Sequence, residues 1–165
     1  MVIRKILVPV DFSPASLDGL EYAVGLARTT GASLVVLHVV ESVQYAAPAD
    51  LFGATASLGA LEEEQRRMAR QELSGLEKRL RTRGLKIRSV LSNGSAAAGI
   101  VSAAQRLKAN LIVMATHGRT GIAHFLMGSV AERVVRTARC PVLTVPGKTA
   151  PAKKRSSAKR RRRSP

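Results

Sequence analysis

Apolar residues in this chain fall into two patterns. One is the short run in which apolar and β-branched residues dominate: residues 3–8, 33–40 (SLVVLHVV), 86–91, 111–114 (LIVM) and 141–145. The other is a recurrence at helical spacing, three or four positions or about two turns apart: Leu17, Leu20, Val24 and Ala27; then Leu61, Met68, Leu76 and Leu80; then Ala97, Ile100, Val101, Ala104 and Leu107; then Val130, Val134 and Ala138. The runs predict strands covered on both faces, and the recurrences predict helices with one buried stripe. Ser13 followed by Pro14 is a helix-start signal. Gly31 and Gly84 mark helix ends, Asn93-Gly94 a turn, and Gly147 the close of the domain. In the helix expected over 61–83, Glu62–Arg66, Glu63–Arg67 and Glu77–Arg81 stand four apart with the acid first, the favourable order for ion pairs. Residues 42–60 are rich in Ala, Gly and Ser with weak periodicity, and read as a long flexible loop.

Strands that alternate with helices imply right-handed crossovers and a parallel sheet. The expected fold is therefore α/β: a single doubly wound, Rossmann-like sheet of five parallel strands with four helices over residues 1–147. No internal repeat interrupts that reading.

Composition narrows the class. The 165 residues suit one domain, and with 45% hydrophobic but only 3% aromatic residues the core must be aliphatic. The N-terminal apolar stretch is broken by Pro9 and Asp11, and no run approaches a membrane span, so a cytoplasmic protein without a span is expected. Cys140 is the single cysteine and cannot form an internal disulfide. Beside Pro141 in a strand-like run, it reads as an inert packed thiol.

The net charge of +16 is unevenly spread. Nine of the 27 basic residues and none of the 11 acidic ones lie in 148–165, leaving 18 basic and 11 acidic residues, or +7, for the rest. A segment of Lys, Arg, Ser, Thr, Pro and Ala cannot bury apolar surface, so 148–165 is expected to be a disordered basic tail. By charge alone it can make nonspecific contact with nucleic acid or an anionic membrane surface, or it can serve only to keep the chain soluble.

In an open α/β sheet ligands gather at the carboxyl ends of the strands near the point where strand order reverses. The segments after the first and fourth strands are Pro9-Val10-Asp11-Phe12-Ser13 and the loop 115–128, which opens Ala115-Thr116-His117-Gly118-Arg119-Thr120-Gly121. Gly118 and Gly121 permit close backbone approach to a ligand. Gly128-Ser129 opens the fourth helix, where free N–H groups and the helix dipole attract anions, and Arg119 adds a positive charge. These features suit phosphate, though they also describe an ordinary strand-to-helix loop with a Ser cap. Asp11 can bond a ribose hydroxyl, approach a metal on the phosphates, or stabilise the start of the first helix. His38, inside an apolar strand, reads as a satisfied core histidine, His117 as a loop residue reaching ligand or solvent, and His124 as surface. Two tempting motifs fail. Gly147-Lys148-Thr149 mimics the end of a P-loop, but Val142 stands where its first Gly belongs, and no G-x-G-x-x-G follows the first strand.

The run Ala115-x-x-Gly118, nine residues, then Gly128-Ser129 resembles the G-x-x-G, nine residues, G-[S/T] motif of the ATP-binding universal stress proteins. The likeness extends to KILVPVDFS (5–13), LHVV (37–40), GSAAAGIV (94–101) and CPVLTVP (140–146), and so over about residues 2–147. It implies strand order 3-2-1-4-5, with adenine and ribose near Pro9, Val10, Asp11 and Val39. It places the phosphates of ATP, with Mg2+ as a companion ion, against the loop that follows Met114: Ala115, Gly118, Arg119, Gly128, Ser129, Val130 and Ala131. It also implies a homodimer through strand 141–145. The one departure is Ala115 in place of the first Gly. Its methyl group clashes if the backbone takes a positive φ or the ligand abuts Cα, and is harmless in a β-like backbone. With the other motif residues present, tolerated binding is expected.

Phosphoryl transfer needs a positioned nucleophile, a metal site and charge stabilisation together. Asp11, Arg119 and Ser129 supply only fragments of that set. The expectation is therefore an ATP-binding, nucleotide-dependent stress-response regulator without efficient catalysis, any hydrolysis being slow and incidental. The alternative is a stress protein that does not bind ATP and acts as a protein- or nucleic-acid-interacting module through its dimer surface and basic tail.

Overall fold

The computed structural model describes residues 2–41, 52–116 and 127–147, with the backbone alone for 52–58. The basic tail, and within the 115–128 loop His117, Gly118, Arg119 and His124, lie outside the described residues.

Among the described residues nine elements alternate: β1 Lys5–Pro9, α1 Pro14–Thr30, β2 Ser33–Val40, α2 Phe52–Thr82, β3 Ile87–Asn93, α3 Ala96–Arg106, β4 Leu111–Ala115, α4 Ser129–Thr137 and β5 Val142–Val145. The strands form one sheet in the order β3-β2-β1-β4-β5, and every pair is parallel. The alternation of strand side chains makes a double core. Ile6, Val8 and Val10 face α1 and α2, meeting Leu20, Val24, Leu73, Leu76 and Leu80. Leu7, between them, faces α3 and α4 with Ala97, Ile100, Ala103, Ala131 and Val134. Burial of each Leu, Ile or Val stabilises the fold by about 1.5–3 kcal/mol before entropy is counted. The central strands are apolar on both faces because both are covered.

Helix α1 starts and stops as its sequence predicts. Ser13 is the N-cap, with its side chain accepting from the Ser16 amide, and Gly31 ends the helix at φ 71°. Helix α2 differs from expectation. It begins at Phe52, so residues 52–60 belong to a helix and not to a long loop, while 42–51 lie outside the described residues. The apolar stripe also differs: Leu61 and Met68 are each 56% exposed, and the buried positions are Ala69, Leu73, Leu76 and Leu80. From 59 to 68 no α2 side chain is buried, so no core contact imposes apolar periodicity there, and alanine propensity suits helix without it. Arg67 bonds Glu64 rather than Glu63, while Glu63 pairs with Arg66 and Arg70. Lower in α2, Glu77 takes hydrogen bonds from both the amide and the hydroxyl of Ser89 on β3, and from Arg81. The Ser89 bonds and Arg81 hold its carboxyl below the usual carboxylate range, against the opposing effect of burial.

Candidate functional site at the carboxyl ends of β1 and β4

The order of the sheet places β1 beside β4, and the chain leaves these strands toward opposite faces, α1 on one and α4 on the other. That divergence opens a crevice at the switch point.

On the β1 side the turn is closed by its own side chains. The Val10 amide donates to Leu37 O (2.8 Å), and Val10 O accepts from His38 Nδ1 (2.7 Å). A carbonyl can only accept, so Nδ1 carries the proton. The Phe12 ring lies 4.7 Å from the His38 ring, and Phe12 has φ 63°, a left-handed conformation uncommon for a bulky residue. Asp11 Oδ1 accepts from the Ser13 amide (3.0 Å) and hydroxyl (2.6 Å), and Ser16 Oγ accepts from the Asp11 amide (3.3 Å). Asp11 thus stabilises the start of α1, one of the three roles its position suggested. His38 is half-buried and satisfied, as its place in an apolar strand predicted.

On the β4 side the two ends of the loop are tied together. The Thr116 amide donates to Val145 O (3.0 Å), and the Gly128 amide donates to Thr116 O (2.7 Å). Gly128 is the N-cap of α4, in extended conformation (φ −70°, ψ 152°), and makes no side-chain cap bond. The amides of Ser129, Val130 and Ala131 open the helix, where no intrahelical partner exists for them. Glu132 in the first turn leans to Arg136 (3.6 Å).

Of the residues singled out in the sequence, Pro9, Asp11 and Val39 are half-buried, and Ser129 is exposed. Val10, Met114, Ala115 and Ala131 are buried, so their side chains can form only walls or supports. Val39 packs toward Gly99, where an added Cβ would stand 3.1 Å from both Val39 methyl groups. Ala115 lies inside β4 and is not among the residues of positive φ, so the substitution brings no backbone strain. Three residues escaped the sequence reading. Gly19 lets α1 approach β4: a Cβ there would stand 3.3 Å from the Ala115 amide nitrogen. Thr116 closes the loop. Glu41 Oε1 accepts from the Ala96 amide (3.3 Å) at the start of α3. A glycine inside a helical stripe was the available signal for Gly19. No local pattern announces the other two.

Cys140 lies away from this crevice, before β5, and burial pushes its thiol up, away from the reactive thiolate. Among the described residues no three His, Cys, Asp or Glu side chains form a metal-binding group, and no helix is long and apolar enough to cross a membrane.

Comparison with known proteins adds an independent finding. The model of the universal stress protein family matches residues 3–146. Universal stress protein MJ0531 of Methanocaldococcus jannaschii is 36% identical over 143 residues, 86% of this chain and 81% of its own. The solved structure of MJ0577, from the same organism, superposes with a TM-score of 0.78 at 25% identity, covering 91% of this chain and all of that one. UspA from Lactobacillus plantarum gives 0.78 at 26% identity, covering 88% and 99%. Two structures of lower identity share the fold and hold adenine nucleotides. One is a universal stress protein with cAMP (21%, TM-score 0.61, covering 89% and 99%), the other the Archaeoglobus fulgidus protein with dAMP (24%, 0.59, covering 87% and 98%).

Proposed function

The chain belongs to the universal stress protein family, and we propose that it is an adenine-nucleotide-binding regulator that takes ATP in the crevice between β1 and β4. The observation that carries this reading is the unequal treatment of the helix starts at that end of the molecule. Ser13 Oγ caps α1, and the Glu41 carboxylate approaches the first amide of α3. Among the described residues, α4 has no such group: its N-cap is Gly128, which has no side chain to offer. A helix N-terminus left with unsatisfied amides and a positive dipole end is suited to phosphate.

In this reading the phosphates lie against Ala115, Gly128, Ser129, Val130 and Ala131, with Gly118 and Arg119 contributing from the loop. Adenine and ribose lie on the side of Pro9, Val10, Asp11 and Val39, and Met114 supports Ala115 from the core. Mg2+ accompanies the phosphates. The extended backbone at Ala115 supports tolerated binding, since the methyl group there requires no left-handed φ. The cAMP and dAMP found in the two relatives support an adenine nucleotide as the ligand class. Asp11 Oδ1 is engaged by Ser13, which favours a positioning role over catalysis, so the nucleotide acts by shifting conformation or partner choice. The homodimer belongs to the same reading. β5 is an edge strand, and its four residues are only half-buried, which leaves an edge for a second copy.

Calorimetric titration of the full chain with ATP, ADP and AMP tests the proposal. Saturable heat is expected, with ATP binding tightest because its phosphates reach furthest along the start of α4. No heat and no displacement at millimolar ATP would overturn it.

A further inference from the structure

In a parallel α/β sheet every strand begins, and every helix ends, at the same end of the molecule. Here that end is opposite the nucleotide crevice. Segments 2–5, 28–33, 79–88, 103–111 and 134–142 meet there, and together they hold twelve basic residues and no acidic one. The juxtaposition is fixed by backbone hydrogen bonds: Ser33 N to Arg4 O (2.9 Å), Asn110 N to Lys5 O (2.9 Å), and Leu34 N to Lys86 O (2.8 Å). We propose that this face, carried by Arg4, Arg28, Lys86, Arg106, Lys108 and Arg139, binds the phosphodiester backbone of duplex nucleic acid without reading sequence.

Helix ends attract cations through their dipoles, and that accounts for part of the pattern. Lys5 Nζ donates to Leu107 O at the end of α3 (2.8 Å), and Arg81 and Arg83 are paired with Glu77 and Glu21. It does not account for Arg4, Lys86 and Arg88, which stand at strand starts. Nor does it account for the conformation of Lys108, which follows α3 at φ 52°, a left-handed position that Gly or Asn fills more cheaply. A long cation is thus held there against local preference, beside exposed Arg4 and Arg106. Concentrating like charge on one face destabilises the fold through self-repulsion, and a polyanion relieves it.

The chemistry of the face selects among polyanions. Nine of the twelve cations are arginines, whose planar forks match phosphate oxygens. The five segments contain no Phe, Tyr, Trp or His, so there is no ring on which to stack the bases of a single strand. A membrane-surface anchor would set Trp, Phe or Leu beside its cations. The exposed large apolar groups near this end are instead Val2 and Val135. Contacts to phosphate alone fix a protein on a duplex but carry no sequence information.

The test keeps the full chain and compares equal charge removals. One variant carries Arg4→Gln, Arg106→Gln, Lys108→Gln and Arg139→Gln. The other carries the four substitutions Arg160→Gln to Arg163→Gln in the tail. Each is titrated by fluorescence anisotropy against a labelled random-sequence DNA duplex over a range of salt. The face variant is expected to bind about tenfold or more weakly, with the slope of log K against log salt reduced by at least about 2, since each phosphate contact contributes about 0.9. Restoring the charge with Arg4→Lys, Arg106→Lys and Arg139→Lys in otherwise native chain should keep most of the slope. The tail variant should retain a salt-dependent affinity. Should the face variant fail to fold by circular dichroism, the tail variant decides: retained binding supports the face, and loss of all binding overturns it. The proposal is also overturned if the face variant binds like the parent, if the parent does not bind duplex, or if it binds phosphatidylserine vesicles and not duplex.

Discussion

Helices α1 and α4 begin within the same crevice, one after β1 and one after β4, yet their first turns are built on opposite plans. At α1 the side chains of the turn bond one another and the start of the helix. Ser13 Oγ accepts from the Ser16 amide, Ser16 Oγ donates to Ser13 O, and Asp11 Oδ1 takes the Ser13 amide and hydroxyl. Pro14 has no N–H to satisfy. The ring is tight enough to hold Phe12 in a left-handed conformation against the His38 ring. At α4 the N-cap is Gly128, whose own amide goes to Thr116 O and which offers no side-chain acceptor. One side of the crevice uses its polar atoms to fix shape. The other, among the described residues, brings no side-chain acceptor to its first amides. A single residue type at each N-cap, Ser or Gly, makes the difference.

The largest effect should come from opening the closed side. Ser13→Ala removes the cap and leaves Asp11 without its hydroxyl donor. A lost Ser cap costs about 1–2 kcal/mol, which in a domain of this size lowers Tm by about 3–6 °C. Thermal unfolding followed by circular dichroism measures it, and an unchanged Tm would show that the ring around Ser13 contributes nothing. The converse change closes the open side. Gly128→Asp fits the extended backbone at that position and gives α4 a side-chain acceptor of its own. Nucleotide affinity should fall about tenfold, or ~1.4 kcal/mol, because the carboxylate occupies the amides and repels phosphate. Stability should hold or rise by a few tenths of a kcal/mol, approximately the difference between Gly and Asp caps. Affinity and stability moving in opposite directions identifies the start of α4 as a ligand site. An equal loss of both would mean that Gly128 is needed only for packing.

Much of this contrast was legible in the sequence, for reasons that differ by residue. Ser13-Pro14 announces a capped helix because both signals are local. Gly128-Ser129 leaves two readings, a phosphate site or a Ser cap, and the structure puts the N-cap at Gly128 instead of Ser129. The strand order follows from the resemblance, and the parallel sheet from the alternation of elements. What escaped depends on contacts across the sheet. Glu41 meets Ala96 over 55 positions, and His38 meets Val10 over 28, so neither pair leaves a periodic trace. Residues 52–60 of α2 escaped for the opposite reason: the helix beside them, from 59 to 68, buries no side chain, so no apolar stripe leads back into them. Gly19 shows the intermediate case, a residue visible as an anomaly in the α1 stripe whose meaning, close approach to Ala115, appears only in three dimensions.

The smallest expected effect concerns α3, which stands between the two plans. Its N-cap Ser95 makes no side-chain cap bond, but Glu41, at the end of β2, brings a carboxylate to the Ala96 amide. An acid near a helix N-terminus is worth about 0.3–1 kcal/mol at low salt, and this one is exposed, which puts it at the low end. Glu41→Gln should therefore lower stability by about 0.3 kcal/mol in denaturant titrations at low ionic strength. The difference should vanish near 1 M salt, where screening acts over about 3 Å. The same substitution removes a negative charge from the end of the sheet where nucleotide phosphates are proposed to sit. It should raise ATP affinity slightly, by less than about twofold through solvent. A stability loss that survives high salt would mean that Glu41 acts through packing and not through its charge, and α3 would then belong with α1 as a helix start fixed by shape.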